Sequence, residues 1–319
     1  MQKPTYLAKN LFLIDDFDLC MENRTGTYVL TERELTIIET SASPSVPYIL
    51  EGLDSLNLSP KDIKYIIVTH IHLDHAGGAG LFLKHCPNAT VIVHPKGYKH
   101  LSDPSRLIAG AKAVYGDDFN RLFDPILPIP ENRLQIKNHL EELKIGDNCI
   151  LTFYDTPGHA NHHFSIFHSS LNGMFTGDTV GIRYPQLEKD GVELYLPTTS
   201  PNQFDPNKML QSMQLFKEKN LQYIFFGHYG MSKNTNEVYK QVEYWIGVFL
   251  EEGKKAIQKC CTPQEMMVLT SESILTQIKI YLQTKGIPDE HGIYELLALD
   301  IKVSTMGLLE FIQKSAQNH

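Results

Sequence analysis

Lys64-Tyr65-Ile66-Ile67-Val68-Thr69-His70-Ile71-His72-Leu73-Asp74-His75-Ala76-Gly77-Gly78 is the stretch on which the reading of this chain turns. Residues 64–69 form a mostly apolar, β-branched run, which suits a strand in a sheet covered on both faces. The run stops at four titratable side chains within six residues: His70, His72, Asp74 and His75. Side chains alternate along extended backbone, so 70 and 72 fall on one side and both imidazoles can face one point. Asp74 and His75 come where the chain turns into a helix, so they can face a second point nearby. Gly77 and Gly78 let backbone pass close to that place. Imidazole and carboxylate are ligand types that zinc, iron and manganese accept. With 14 histidines and 37 acidic residues in 319, three histidines and a carboxylate at these fixed places would arise by chance roughly 0.003 times.

On either side, short apolar runs alternate with turns. Leu11–Ile14, Thr27–Leu30 and Leu35–Thr40 read as strands, and Val46–Leu56 has helical spacing at Ile49, Leu50, Leu53 and Leu56. After a helix-like stretch to Cys86, Ala89–Val93 is the next strand, closing a strand–helix–strand unit. Residues 95–125 read as helix and loop. Strands at Ile150–Tyr154 and Phe164–Phe167 enclose Thr156-Pro157-Gly158-His159, and another ends at Met174-Phe175-Thr176-Gly177-Asp178-Thr179. Asp205 before Pro206 is an N-cap with proline at the first helical position, opening a helix to about Lys219. Tyr223–Phe226 is a strand that stops at Gly227-His228-Tyr229-Gly230. Beyond about residue 233 the period becomes helical, with helices expected at Glu237–Leu250, Ile257–Cys261, Pro263–Thr284 and Ile293–Gln317. The expected division is a domain over 1–235 and a helical C-terminal module over 236–319.

His159, Asp178 and His228 share a setting, since each follows a strand-like run at a glycine-containing turn. Loops at strand ends are where rigid sheets present ligands. Singly, such a residue is more often structural. Together with the 70–75 cluster they make seven ligands, enough for two metals sharing one bridge. The remaining composition is ordinary: 42% hydrophobic and 21% charged residues exclude a disordered or fibrous chain. The net charge of −8 gives no support for a nucleic-acid partner. Residues 1–5 show no apolar targeting segment, no run approaches 18 apolar residues, and five cysteines without a CxxC, Cys260 and Cys261 being adjacent, make no disulfide framework. A cytoplasmic location without membrane attachment is therefore expected.

His70-x-His72-x-Asp74-His75 followed by His159, Asp178 and His228, in that order, resembles the metallo-β-lactamase superfamily over roughly residues 5–232. The resemblance implies an α/β fold, an αββα sandwich with a dinuclear site at one edge, here carrying a helical C-terminal extension. It also implies two divalent metal ions, zinc first, iron or manganese by the same ligands. His70, His72 and His159 would hold one, Asp74, His75 and His228 the other, and Asp178 would bridge. The glutamate variant of the first motif, typical of the flavodiiron branch, is absent. No cysteine replaces Asp178, unlike several true β-lactamases, which points away from antibiotic hydrolysis. One departure is Glu39 where the family usually carries an aspartate after an early strand. Thr69-His70 to Gly80 and Thr156–His159 look like the lactonase and glyoxalase II type. Pro197-Thr198-Thr199-Ser200-Pro201 with Phe204-Asp205-Pro206 resembles a hydrolase-like subgroup without a settled substrate.

The expected activity is a metallo-hydrolase in which a bridging hydroxide attacks the ester, lactone or thioester carbonyl of a small molecule, with Asp74 relaying a proton to the leaving group. An iron-dependent redox or oxygen-binding protein, and a metal-bound sensor without turnover, use the same ligands and stand as alternatives. A nuclease role fits poorly with the acidic charge. Tyr184 and Tyr229 are candidate substrate contacts, against a packing role for both. Arg183 suits an exposed salt bridge better than a substrate anion. His162 and His163, close after His159, read as loop histidines, with hydrogen-bond donors behind the ligands as the alternative, and His85, His94, His100, His139, His168, His291 and His319 have no partner spacing. Cys86 and Cys149 read as small buried apolar residues. The C-terminal helices carry apolar stripes such as Ile274, Ile278 and Leu282. They are candidates for capping the site mouth or forming a homodimer interface.

Overall fold

The β-branched run before His70 becomes an interior strand in the computed structural model, which describes residues 3–260 and 262–317. Cys261 and His319, both noted in the sequence, lie outside the described residues. The sheet containing the run has seven strands among the described residues, in the same order in space as in the chain. They are β1 (Thr5–Ala8), β2 (Leu11–Asp15), β3 (Gly26–Leu30), β4 (Thr36–Ile38), β5 (Tyr65–Ile67), β6 (Thr90–Val93) and β7 (Leu134–Ile136). Neighbours from β1 to β4 are antiparallel, and those from β4 to β7 are parallel.

Register shows why the run is apolar throughout. Ile37, Ile66 and Val91 lie side by side and join one core, while Ile38, Ile67 and Ile92 lie side by side and join another. The first core holds Val46, Ile49 and Leu53 of helix α1 (Val46–Ser55), spaced to share one face, and Phe82 of a later helix. The second core holds Leu151, Phe153, Phe164, Ile166, Phe175 and Phe225 of a second sheet. That sheet orders β15 (Met231–Ser232), β14 (Tyr223–Phe226), β11 (Gly173–Gly177), β10 (Phe164–His168), β9 (Ile150–Asp155) and β8 (Glu142–Lys144). The intervening pair, β12 (Ile182–Arg183) and β13 (Tyr195–Leu196), forms a separate ribbon. β5 thus lies between a helical layer and a facing sheet, and burying each of its isoleucines contributes about 1.5–3 kcal/mol.

The chain divides into two units. The first comprises the residues up to Thr156, His162–Gly177 and Asn220–Thr235, and holds both large sheets. It also holds α1, α2 (Leu73–Ala76), α3 (Ala79–Leu83), α4 (Tyr98–Ser102), α5 (Ser105–Tyr115) and α6 (Phe119–Phe123). The second comprises Pro157–Asn161, Asp178–Lys219 and the chain from Asn236 on. It carries the β12–β13 ribbon, α7 (Pro206–Glu218) and three long helices, α8 (Thr235–Lys259), α9 (Pro263–Thr284) and α10 (Ile293–Gln317). Asp205 caps α7 as expected, its side chain accepting from the amides of Asn207 at 3.1 Å and Lys208 at 3.2 Å. Thr262 and Glu265 close a capping box at the start of α9. The two helices expected on either side of Gly253 are one continuous α8, and a Cβ at Gly253 would meet Ile312 Cδ1 of α10 at 2.6 Å. The residue is small for close packing, and the helix runs through it. Among the described residues, no helix is long and apolar enough to cross a membrane.

Candidate metal centre

In the first unit the chain stays extended past β5. Ile71, 2% exposed, goes into the helix-side core, so His70 and His72 fall together on the other side. His72 is itself extended (φ −63°, ψ 149°) and precedes α2, whose single turn carries Asp74 and His75. The imidazoles crowd: ring centres are 4.6 Å apart for His70 and His72, and 4.1 Å for His70 and His75. His228, on the loop after β14, brings its ring to 5.2 Å from His75. Asp74 Oδ2 lies 3.8 Å from His75 Nε2 and 3.6 Å from His228 Nε2. Asp74, His75 and His228 each offer a ligand atom within 4.8 Å of the others, a separation that suits one cation.

Several bonds hold α2 in place. The His75 carbonyl accepts from Thr40 N at 3.0 Å and Thr40 Oγ1 at 3.1 Å. A Cβ on Gly78 would sit 2.7 Å from the Thr40 carbonyl oxygen, so glycine is what admits the approach. Glu39, 2% exposed and at φ +67°, accepts from Thr69 N at 3.2 Å through one oxygen and puts the other 3.5 Å from His75 Nδ1. Glutamate thus reaches the place where a shorter acid was expected.

Side chains the sequence reading set aside also gather here. His163 is fully buried, stacks on His70 at 4.9 Å between ring centres, and bonds Thr156 Oγ1 through Nδ1 at 3.1 Å. His162 lies 5.2 Å from the His72 ring, edge to face. Asp18, 3% exposed, pairs with Arg24 at 3.1 Å. Burial raises the Asp18 pKa and the Arg24 guanidinium opposes that, while Asp74 and His228 are near enough to act on it as well. The doublet 162–163 just after His159 was a usable signal, whereas nothing in Asp15-Asp16-Phe17-Asp18 marks it in sequence.

In the second unit, His159 and Asp178 form a buried pair with Nε2 to Oδ2 at 3.4 Å. His159 Nδ1 donates to the Thr198 carbonyl at 3.1 Å. A carbonyl only accepts, so Nδ1 carries a proton, and Nε2 is the nitrogen turned to Asp178. Tyr184 is buried, with its hydroxyl donating to Asp300 Oδ2 at 3.0 Å, and Arg183 pairs with Glu188. Tyr229, in the first unit, is 8% exposed and belongs to the core between the sheets.

The model of the metallo-beta-lactamase superfamily matches residues 24–228. The chain belongs to that superfamily. The N-acyl homoserine lactonase AttM of Rhizobium radiobacter is 27% identical over 182 residues, 56% of this chain and 63% of the relative. The chain therefore spans a little under two thirds of that relative's length. Protein ST1585 of Sulfurisphaera tokodaii, a metallo-beta-lactamase fold-containing protein, is 28% identical over 208 residues, 64% of this chain and 72% of its own. Among solved structures, ST1585 superposes with a TM-score of 0.65 at 20% identity, covering 94% of this chain and 98% of its own. The family protein TTHA1429 of Thermus thermophilus reaches 0.67 at 17% identity, covering 97% of this chain and 95% of its own. Both likenesses extend past the matched segment into the C-terminal helices, so the superfamily fold accommodates this chain's helical extension. The sequence resemblance is borne out at the level of family and α/β fold.

Proposed function

We propose that this superfamily member is a metal-dependent hydrolase that opens an ester-type bond, a lactone, ester or thioester, in a small molecule. The observation that carries the reading is the Asp74–His75–His228 group, a carboxylate and two buried imidazoles with ligand atoms within 4.8 Å of one another. Kinship with lactonases supports the bond type. His70, His72 and His159 would hold one divalent cation, and Asp74, His75 and His228 a second, with Asp178 shared. Asp178 is bonded to Gly177, and a Cβ on Gly177 would lie 2.5 Å from both Thr69 Oγ1 and His163 Nε2, beside His70. An imidazole and carboxylate donor set without thiolate fits zinc, and fits iron or manganese too.

Bound cations would polarise the substrate carbonyl and bring a water pKa near 7. The protein's own groups do the rest. Thr198 fixes the ring of His159 through its Nδ1, and Glu39 places a carboxylate oxygen 3.5 Å from His75 Nδ1. His72 and Asp74 are the partly exposed members of the seven, so substrate and solvent reach the site on their side. A carboxylate in that position can pass a proton to the leaving oxygen, the role given to Asp74.

The test is a panel of N-acyl homoserine lactone, aryl ester, thioester and phosphodiester substrates, run on zinc-loaded and chelator-stripped protein. Turnover of a carbonyl substrate by the loaded form is expected. His72→Ala and Asp178→Ala should lose metal and turnover together. Full metal occupancy with no turnover across the panel would overturn the hydrolase reading in favour of a sensor. An iron absorption spectrum in protein purified without oxygen would favour the redox alternative.

A further inference from the structure

The C-terminal helices are candidates for a lid or a dimer interface, and within the second unit one of them also makes a specific set of contacts. Along α10, Asp300, Ser304, Gly307 and Phe311 recur at the 4-3-4 spacing of a single helix face. Ser304, Gly307 and Phe311 meet residues 199–204. Asp300 takes the Tyr184 hydroxyl. The Ser304 carbonyl accepts from Thr199 Oγ1. The Phe311 ring packs edge-on against Phe204 at 5.9 Å. On the adjoining position, Glu310 accepts from Asn202 N at 2.8 Å.

Gly307 sets the closeness of this contact. A Cβ there would lie 2.5 Å from the Ser200 carbonyl oxygen and 2.6 Å from Thr199 Oγ1, distances that real Cβ atoms do not tolerate. Glycine inside a helix is unfavourable by about 0.5–1 kcal/mol relative to alanine, so backbone contact is what the residue provides here. The stretch pressed onto the helix is the one that grips His159 from two directions. The Thr198 carbonyl accepts from its Nδ1 at 3.1 Å, and Ser200 Oγ donates to its carbonyl at 2.5 Å.

We propose that α10 is a positioning strut for His159. Its Ser304–Glu310 face fixes residues 198–202, and these set the tautomer and ring direction with which His159 Nε2 meets a metal. This rests on the reading of His159 as a metal ligand. Gly307, Thr199 and Ser200 are thereby positioning residues, acting on the ion through His159. Partners that orient a ligating histidine typically alter metal affinity by about 10–100-fold when removed.

Cobalt(II), whose d–d absorption reports ligand geometry, is the probe. The full-length chain is stripped, reloaded with cobalt(II) and titrated against a chelator, alongside Gly307→Ala, Thr199→Val, Thr199→Ser and Ser200→Ala. Melting of each metal-free form is measured in parallel. Gly307→Ala, Thr199→Val and Ser200→Ala are expected to weaken one cobalt site by about 10–100-fold and shift its d–d bands. Thr199→Ser, which keeps the hydroxyl, should behave as wild type. Ser200→Ala adds no bulk and keeps the test open should Gly307→Ala fold poorly. Wild-type affinity and bands in Thr199→Val and Ser200→Ala would overturn the strut, even where metal-free melting has dropped. A wild-type chain that binds no cobalt would instead sink the metal reading itself.

Discussion

Glu39 stands between two segments of the site: its Oε2 lies 3.5 Å from His75 Nδ1, while Oε1 accepts the amide of Thr69, the residue before His70. One carboxylate thus lies between the proposed ligand on α2 and the strand end that carries two more. Glu39→Gln removes the charge and keeps the shape. It should weaken the cation held by Asp74, His75 and His228 by about 10–100-fold, with the fold retained. Competition against a chromogenic chelator measures this, and an affinity equal to wild type would assign Glu39 to the Thr69 amide alone.

His228→Ala removes one donor from the group of three and leaves the remaining six proposed ligands in place. The metal content is expected to fall from two per chain toward one by elemental analysis, with hydrolysis lost. Stripping all metal should lower the melting temperature, since a ligand at a thousand times its Kd stabilises the folded state by about 4 kcal/mol. Equal melting of stripped and loaded protein would contradict a metal built into the fold.

Acid should weaken the fold at a buried histidine outside the proposed ligand set. His168, 2% exposed, has Nε2 3.3 Å from Cys149 Sγ and accepts from Leu171 N through Nδ1 at 3.3 Å. Burial lowers its pKa from 6.5 to about 4, with Glu32 opposing. The Cys149 thiol beside it is pushed up to about 12 by burial, so the pair is neutral and structural, not a nucleophile and base. As pH falls below 6.5 the unfolded chain takes a proton that the folded ring refuses. The stabilisation is complete above that pH and gone below about 4, amounting to about 3 kcal/mol. Chemical denaturation between pH 7 and 4 should show it, and His168→Gln should flatten that slope.

Gly158 precedes His159 at φ +141°, and a Cβ there would press on the backbone of Met209 in α7. Gly158→Ala meets both obstacles and should cost about 2 kcal/mol or more. The metal site containing His159 should weaken in the same variant. Undiminished stability by urea unfolding would show that the turn can relax.

What the sequence revealed follows physical distance along the chain. The alternation at His70, Ile71 and His72 is local, and the structure keeps it, with Ile71 in the core and the imidazoles opposite. The capping of α7 by Asp205 is equally local. His163 was passed over because its partners, His70 and Gly177, reach it only through tertiary folding. Asp18 acquires its meaning the same way, from Arg24 and the neighbourhood of Asp74. Short edge strands such as β7 and β8 have three residues each, too few for a period to show. The continuity of α8 through Gly253 shows only in three dimensions, where a Cβ on this residue would meet Ile312 of α10.

The second unit is assembled from three separated pieces, one of them the five residues Pro157–Asn161. A tail appended to a finished protein can be cut away again, and evolution can trade it as a cassette. Here neither unit exists as an uninterrupted stretch of gene, so deletion from Asn236 onward would strand two orphaned insertions, one of them bearing His159.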